Sequence, residues 1–260
     1  MPLIEAPGPS SPVIVTGAGS GIGRATAIAL AEWGRPVSLW GRDIGRLESA
    51  ASECRAHGVD AHVLSIDLRE VEAIEPGVAA AVAALGGVGG AVHSAGATRP
   101  TGMSKFLTGE WDEIMEVNLR AFAVLVKALL PELRSHAPDA SVVAVASMAA
   151  IQGAVGFPAY SAAKSGVTGL IRSFAASLGP AGIRFNAVLP GMVDTPMTAG
   201  VFADPETVAR VAKTIPLGRT STPEDLAGPI RFLLSDQASY VTGLSLPIDG
   251  GTREGGRRTG

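Results

Sequence analysis

The sequence of 260 residues predicts an α/β fold: a doubly wound parallel sheet of seven strands with helices on both faces. Three observations predict it. Short β-branched runs alternate along the chain with longer alanine- and leucine-rich stretches. The runs are nearly uninterrupted hydrophobics, as strands covered on both sides must be. The first run leads directly into a glycine-rich turn, Thr16 to Gly23, and then a helical pattern.

In chain order, a strand at 12–15 is followed by a helix at 22–34, a strand at 36–40 by a helix at 43–57, and a strand at 61–65 by a helix at 69–85. The fourth strand, 90–93, leads to a long helix at 111–136, and the fifth, 142–146, to a helix at 160–178. Between these, 140–163 carries no charged residue, long enough to raise the question of a membrane span. Ser141, Ser147, Gln152, Tyr160 and Ser161, with Gly153, Gly156 and Pro158 among them, break any lipid-facing helix, so a buried strand and then an active-site loop are expected. The sixth strand is 184–189, a helix spans 223–235, and the seventh strand is 244–248. In the connection 191–216, glycine, proline, methionine and threonine cluster around one short helical piece; its length predicts a substrate lid. No other stretch resembles a linker, and one domain over 1–260 is expected.

Composition excludes several function classes. Residues are 47% hydrophobic and 17% charged, and the net charge of -3 offers nothing to nucleic acid. Cys54 is the only cysteine, which rules out an intramolecular disulfide or a cysteine metal cluster. His57, His62, His93 and His136 show no metal-ligand spacing, so no metal is expected and packing is their default role. The N-terminus lacks a basic start before an apolar stretch, which points to the cytoplasm.

Two constellations carry chemistry. A strand, a glycine turn and a helix start together make an anion seat, because the first helical N–H groups point outward and the helix dipole favours negative charge. Gly17 allows the turn, Gly21 and Gly23 permit close approach of a pyrophosphate and of the neighbouring strand, and Thr16 braces it. Tyr160 and Lys164 stand one helical turn apart on one face, and a nearby ammonium favours phenolate over phenol. Ser147 ends a buried strand thirteen positions before Tyr160, and Asn118, a poor mid-helix residue, requires a local hydrogen-bonding reason.

The spacing Thr-Gly-x-x-x-Gly-x-Gly, with Asn118, Ser147, Tyr160 and Lys164 in order, resembles the short-chain dehydrogenase/reductase family over roughly residues 11 to 251. The resemblance implies a Rossmann fold and a nicotinamide dinucleotide held by Gly17, Ser20, Gly21, Ile22, Gly23, Arg42, Asp67, Leu68, Ala95, Gly96, Pro190, Gly191, Val193 and Thr195, together with Tyr160 and Lys164. It implies that Tyr160 exchanges the proton, Ser147 holds the substrate oxygen, Lys164 binds the ribose and lowers the tyrosine pKa, and Asn118 fixes a helix kink and a water. His93-Ser94-Ala95-Gly96 departs from the family's Asn-Asn-Ala-Gly at its first two positions. At the end of the second strand Gly41 neither accepts a ribose 2′-hydroxyl nor repels a 2′-phosphate, while Arg42 offers a fork for phosphate, so NADP(H) is expected over NAD(H).

Gln152, Phe157, Met192 and Met197, with Met148, Ile151 and Phe202, are expected at the substrate mouth and favour an apolar or weakly polar ketone or alcohol. A 3-oxoacyl-thioester reductase of the acyl-carrier-protein type is the alternative, weakened by Ala181 where such enzymes often carry a basic residue. A non-catalytic NADP(H) sensor is a further alternative that the intact tetrad disfavours. The resemblance also implies a homo-oligomer, commonly a tetramer.

Overall fold

The computed structural model describes residues 10–100 and 109–252. Seven strands form one parallel sheet: β1 Val13–Thr16, β2 Val37–Gly41, β3 Ala61–Ser65, β4 Gly90–His93, β5 Ser141–Val145, β6 Arg184–Pro190 and β7 Ser245–Ile248. Their order is β3-β2-β1-β4-β5-β6-β7. β1 pairs in register with both β2 and β4, Val13 lying opposite Val37 and Gly90. The chain crosses over after β3, so the connections leaving β1 and β4 diverge and open a crevice at the C-terminal strand ends.

Alternation within the strands divides the core in two. Ile14 of β1 joins a layer with Trp40, Phe122, Leu125, Leu129 and Phe185, while Val13 and Val15 join another with Leu39, Leu47, Leu226 and Ile230. The first layer is covered by α3 (Ile74–Leu85), α5 (Ala121–Ser135) and α7 (Pro158–Leu178), the second by α1 (Gly21–Ala31), α2 (Ile44–Ala56) and α10 (Pro223–Leu234).

Helix ends differ from expectation for identifiable reasons. α1 stops at Ala31, and the chain turns at Gly34, whose φ is 73°. The helix expected from 69 begins at Ile74 after a 3₁₀ turn, Val71–Ala73, because Pro76 fits only a first turn. α7 begins at Pro158, two positions earlier than expected, with proline pre-set for the start of a helix. The helix expected at 111–136 is instead α4 (Gly109–Met115), a π turn (Glu116–Arg120) and α5. After β5, a short α6 (Ala149–Gln152) precedes α7.

The connection 191–216 holds two helices where one was expected, α8 (Ala199–Phe202) and α9 (Pro205–Ala212). Asp204 caps α9 by accepting from Glu206 N and Thr207 N, both at 3.2 Å, with Pro205 in its first turn. At the opposite end of the sheet, buried Arg35 and Arg184 donate to the last carbonyls of α10. Arg35 Nη1 reaches Leu234 O at 3.0 Å, and Arg184 reaches Leu233 O at 2.7 Å and Ser235 O at 3.1 Å. Among the described residues no helix is long and apolar enough to cross a membrane, and no cluster of metal-ligating side chains occurs.

Candidate active site

The glycine turn lies at the crevice, and each glycine is required by a different neighbour. A Cβ on Gly17, whose φ is +69°, would stand 2.9 Å from Ala95 N. On Gly23 it would stand 2.4 Å from the Gly17 carbonyl, so this glycine closes the turn upon itself; on Gly21 it would meet Thr195 Cγ2 at 3.1 Å, in the connection 191–216. Ser20 caps α1 from extended backbone, its side chain making no capping bond, and the first turn of α1 has no acidic residue. The N-terminus of α1 therefore keeps its positive end for an anion. Ile22 packs on the core of this side.

Thr16 braces more than its own turn. Its buried Oγ1 accepts from Ser94 N at 3.2 Å and Ala95 N at 3.1 Å, which pins β1 to the segment after β4. Gly191, after Pro190, lies so near β7 that a Cβ would stand 3.0 Å from Asp249 Cα. Val193 is buried and bridged to Ser221, while Thr195 and Thr198 cap each other's turn.

At the end of β2, Asp43 is engaged by Arg46, accepting from its backbone N at 3.1 Å and pairing with Nε at 3.2 Å. Arg42 is exposed and forms no ion pair among the described residues, which leaves its guanidinium available beside Gly41. Asp67 is different: it accepts from Arg69 Nη2 at 2.5 Å and from Arg69 N at 3.0 Å, and these bonds hold its carboxyl below the ordinary range. Arg69 and Arg99 share Glu113, each at 3.4 Å. The side chain of Leu68 is buried in the core, so only its backbone can face the crevice.

Asn118, Ser147, Tyr160 and Lys164 come together from three segments: the π turn, the connection after β5, and α7. Tyr160, in the first turn of α7, is half-buried with its hydroxyl directed inward to Ser147. Ser147 Oγ also accepts from Ala149 N at 3.1 Å. Lys164 is buried, donates to Val145 O at 2.9 Å, and has Nζ 5.6 Å from the centre of the Tyr160 ring. Burial lowers the Lys164 pKa to about 8.

The π turn carries Asn118, whose Nδ2 donates to Ala97 O at 2.8 Å and Ile114 O at 2.9 Å. Its Oδ1 is buried with no protein partner, and a Cβ on Gly96 would lie 2.7 Å from that oxygen and 3.5 Å from Lys164 Nζ. Gly96 thus keeps a polar gap open between amide and ammonium.

Two expectations are corrected here. The Tyr160 pKa moves up rather than down, because burial of the hydroxyl outweighs the opposing interaction with Ser147. Met148 is buried in the core rather than standing at the mouth, with its backbone N bonded to Pro190 O at 3.0 Å. Gln152, Ile151 and Met197 are exposed, and Phe157, Met192 and Phe202 half-buried, on α6, the start of α7 and the connection 191–216. Sequence reasoning missed the engagement of Asp67 by Arg69 and the position of His93, which is buried under the site with Nδ1 3.2 Å from Thr16 Oγ1. A basic imidazole at the end of a buried strand was the available signal.

Residues 17–253 match the family model described as enoyl-(acyl carrier protein) reductase. The L-rhamnose 1-dehydrogenase (NAD(P)(+)) of Azotobacter vinelandii is 39% identical, covering 92% of this chain and 95% of that one. The 3-oxoacyl-(acyl-carrier-protein) reductase FabG of Thermotoga maritima is 36% identical, covering 92% and 96%. An NADP-bound crystal structure from Beutenbergia cavernae, described as an NAD(P)-dependent gluconate 5-dehydrogenase, superposes with a TM-score of 0.88 at 39% identity, covering 95% of this chain and 100% of that one. With this likeness running the length of the sheet and across the glycine turn, the chain belongs to the short-chain dehydrogenase/reductase family and is an NAD(P)-dependent oxidoreductase acting on CH–OH donors.

Proposed function

We propose that the protein interconverts a carbonyl and a secondary alcohol with NADP(H) in preference to NAD(H), using Tyr160 as acid and base. The observation that carries this reading is the Tyr160 hydroxyl beside Ser147, one helical turn from a buried Lys164 ammonium, at a crevice where the N-terminus of α1 has no side-chain capping bond. The seat fits a dinucleotide. Gly17, Ser20, Gly21, Ile22 and Gly23 leave backbone N–H groups for the pyrophosphate, and Arg42, without an ion pair, suits a 2′-phosphate. Asp67 and Leu68 border the adenine side, Ala95 and Gly96 the ribose, and Pro190, Gly191, Val193 and Thr195 the nicotinamide side. A nicotinamide bound there gives or takes the hydride.

In reduction Ser147 Oγ holds the substrate oxygen and Tyr160 delivers the proton to it; in oxidation Tyr160 removes that proton. A raised tyrosine pKa keeps the hydroxyl protonated, poised as a donor, until positive charge arrives nearby. Lys164 holds the ribose, and the gap beside Asn118 Oδ1 takes a water that carries protons outward. The connection 191–216 serves as the lid.

Phe157, Met192 and Met197 favour an apolar or weakly polar substrate, with Gln152 as its polar contact. A second reading, a small sugar, is favoured by the identity to the Azotobacter rhamnose dehydrogenase over most of the chain. The test is cofactor turnover with ketones, 3-oxoacyl thioesters and aldoses. Turnover of apolar ketones supports the first reading and turnover of aldoses alone the second, while tight NADPH binding with no turnover in any class supports a sensor. Comparable kcat/KM with NADH and NADPH overturns the cofactor preference. The family likeness also supports a homo-oligomer, which sedimentation would measure.

A further inference from the structure

His93 ends β4 directly under the candidate site, and it is contacted from two sides. The two lone pairs of Thr16 Oγ1 are taken by Ser94 N at 3.2 Å and Ala95 N at 3.1 Å. The hydroxyl proton therefore has one remaining partner, His93 Nδ1 at 3.2 Å. That nitrogen must accept, so the proton of a neutral ring resides on Nε2. Nε2 is buried and makes no hydrogen bond among the described residues, and the backbone group near enough to favour a proton on the ring is Val117.

The π turn explains why the Val117 carbonyl is available. In an unbroken α-helix Ala121 N would bond Val117 O, but here it bonds Glu116 O. The imidazole also lies against Phe122, the second residue of α5, with ring centres 5.4 Å apart. The ring thus meets both ends of the distortion that places Asn118.

We propose that His93 is a positioning residue: as the Nε2–H tautomer it joins Thr16 at the crevice floor to the Val117 carbonyl released by the π turn, and so sets where Asn118 Oδ1 stands relative to Lys164. Burial and the nearby Lys164 charge both oppose protonation of the ring, and the Val117 carbonyl favours it only weakly. The kinetic consequence rests on the acid/base reading of Tyr160 and Lys164; the tautomer and the link to the π turn do not.

The test has two arms. In protein carrying ¹⁵N-labelled histidine, long-range proton–nitrogen spectra from about pH 8 to about pH 5 should show the His93 ring neutral with its proton on Nε2 throughout. A ring protonated on Nδ1, or doubly protonated in that range, overturns the proposal. In the second arm His93→Gln keeps a distal N–H for Val117 while His93→Leu removes both polar contacts. The NADPH Kd should stay within about twofold in both variants, while kcat falls on the order of tenfold in His93→Leu and recovers largely in His93→Gln. A kcat for His93→Leu within about twofold of the parent overturns the proposal. If the parent turns over no substrate, the function reading fails on its own, and the tautomer together with the Val117 carbonyl ¹³C shift on His93→Leu still decides the link: a shift supports it and no shift overturns it.

Discussion

At the scale of single residues, burial decides the chemistry. Tyr160 and Lys164 are both driven by burial toward their neutral forms, and the sequence predicted only the attraction between them. Spacing along a helix is readable; desolvation by elements distant in sequence is not. Replacing Tyr160 by Phe should leave NADPH binding intact and lower kcat by on the order of 10²-fold or more, measured as single-turnover hydride transfer. His93 gives a stability prediction with a definite sign. Its folded pKa is lowered to about 3, below that of an unfolded histidine near 6.5, so the unfolded chain binds more protons between those values. Stability should therefore fall as pH drops through that window, and the fall should be shallower in His93→Gln. Denaturant titrations across about pH 4 to 7 check it, and identical slopes would refute it. At the cofactor end, Gly41→Asp has room, since a Cβ there meets nothing nearer than Leu47 Cδ2 at 3.4 Å. It should lower kcat/KM for NADPH and raise the ratio in favour of NADH.

Among elements, the strands were legible and the distortions were not. Doubly covered strands announce themselves as apolar runs, and each of the seven falls within a residue or so of its expected place. The π turn is invisible to periodicity because one extra residue per turn leaves the apolar faces on both sides in place; Asn118 was the only hint. The second helix of the connection 191–216 is legible in Asp204-Pro205-Glu206, a cap followed by proline, although the glycine and proline around it mask the signal. Removing the cap with Asp204→Ala should loosen α9, read as faster amide exchange in α9 with exchange in α7 unchanged. Gly23→Ala is the harsher change. Its methyl group would fall 2.4 Å from the Gly17 carbonyl, so the turn must deform and dinucleotide affinity should drop at least tenfold by calorimetry, on the order expected for roughly 1.4 kcal/mol.

For the whole molecule, the two ends of the sheet perform different tasks. At the end opposite the crevice Arg35 and Arg184 saturate the last carbonyls of α10 without a carboxylate partner at hydrogen-bonding distance among the described residues. Arg184→Leu leaves Ser235 O without its donor and Leu233 O with the Ser141 hydroxyl alone, and should cost about 1–3 kcal/mol globally, seen as a lower Tm with kcat unaltered. At the other end, one threonine hydroxyl ties together strands whose sequence positions are 77 apart. Sheet neighbours cannot slide past that seam without losing three hydrogen bonds at once. With no fully buried residue in its two helices, the connection 191–216 should yield to proteases and denaturant long before the glycine turn below it does, and a molecule clipped there should still bind NADPH.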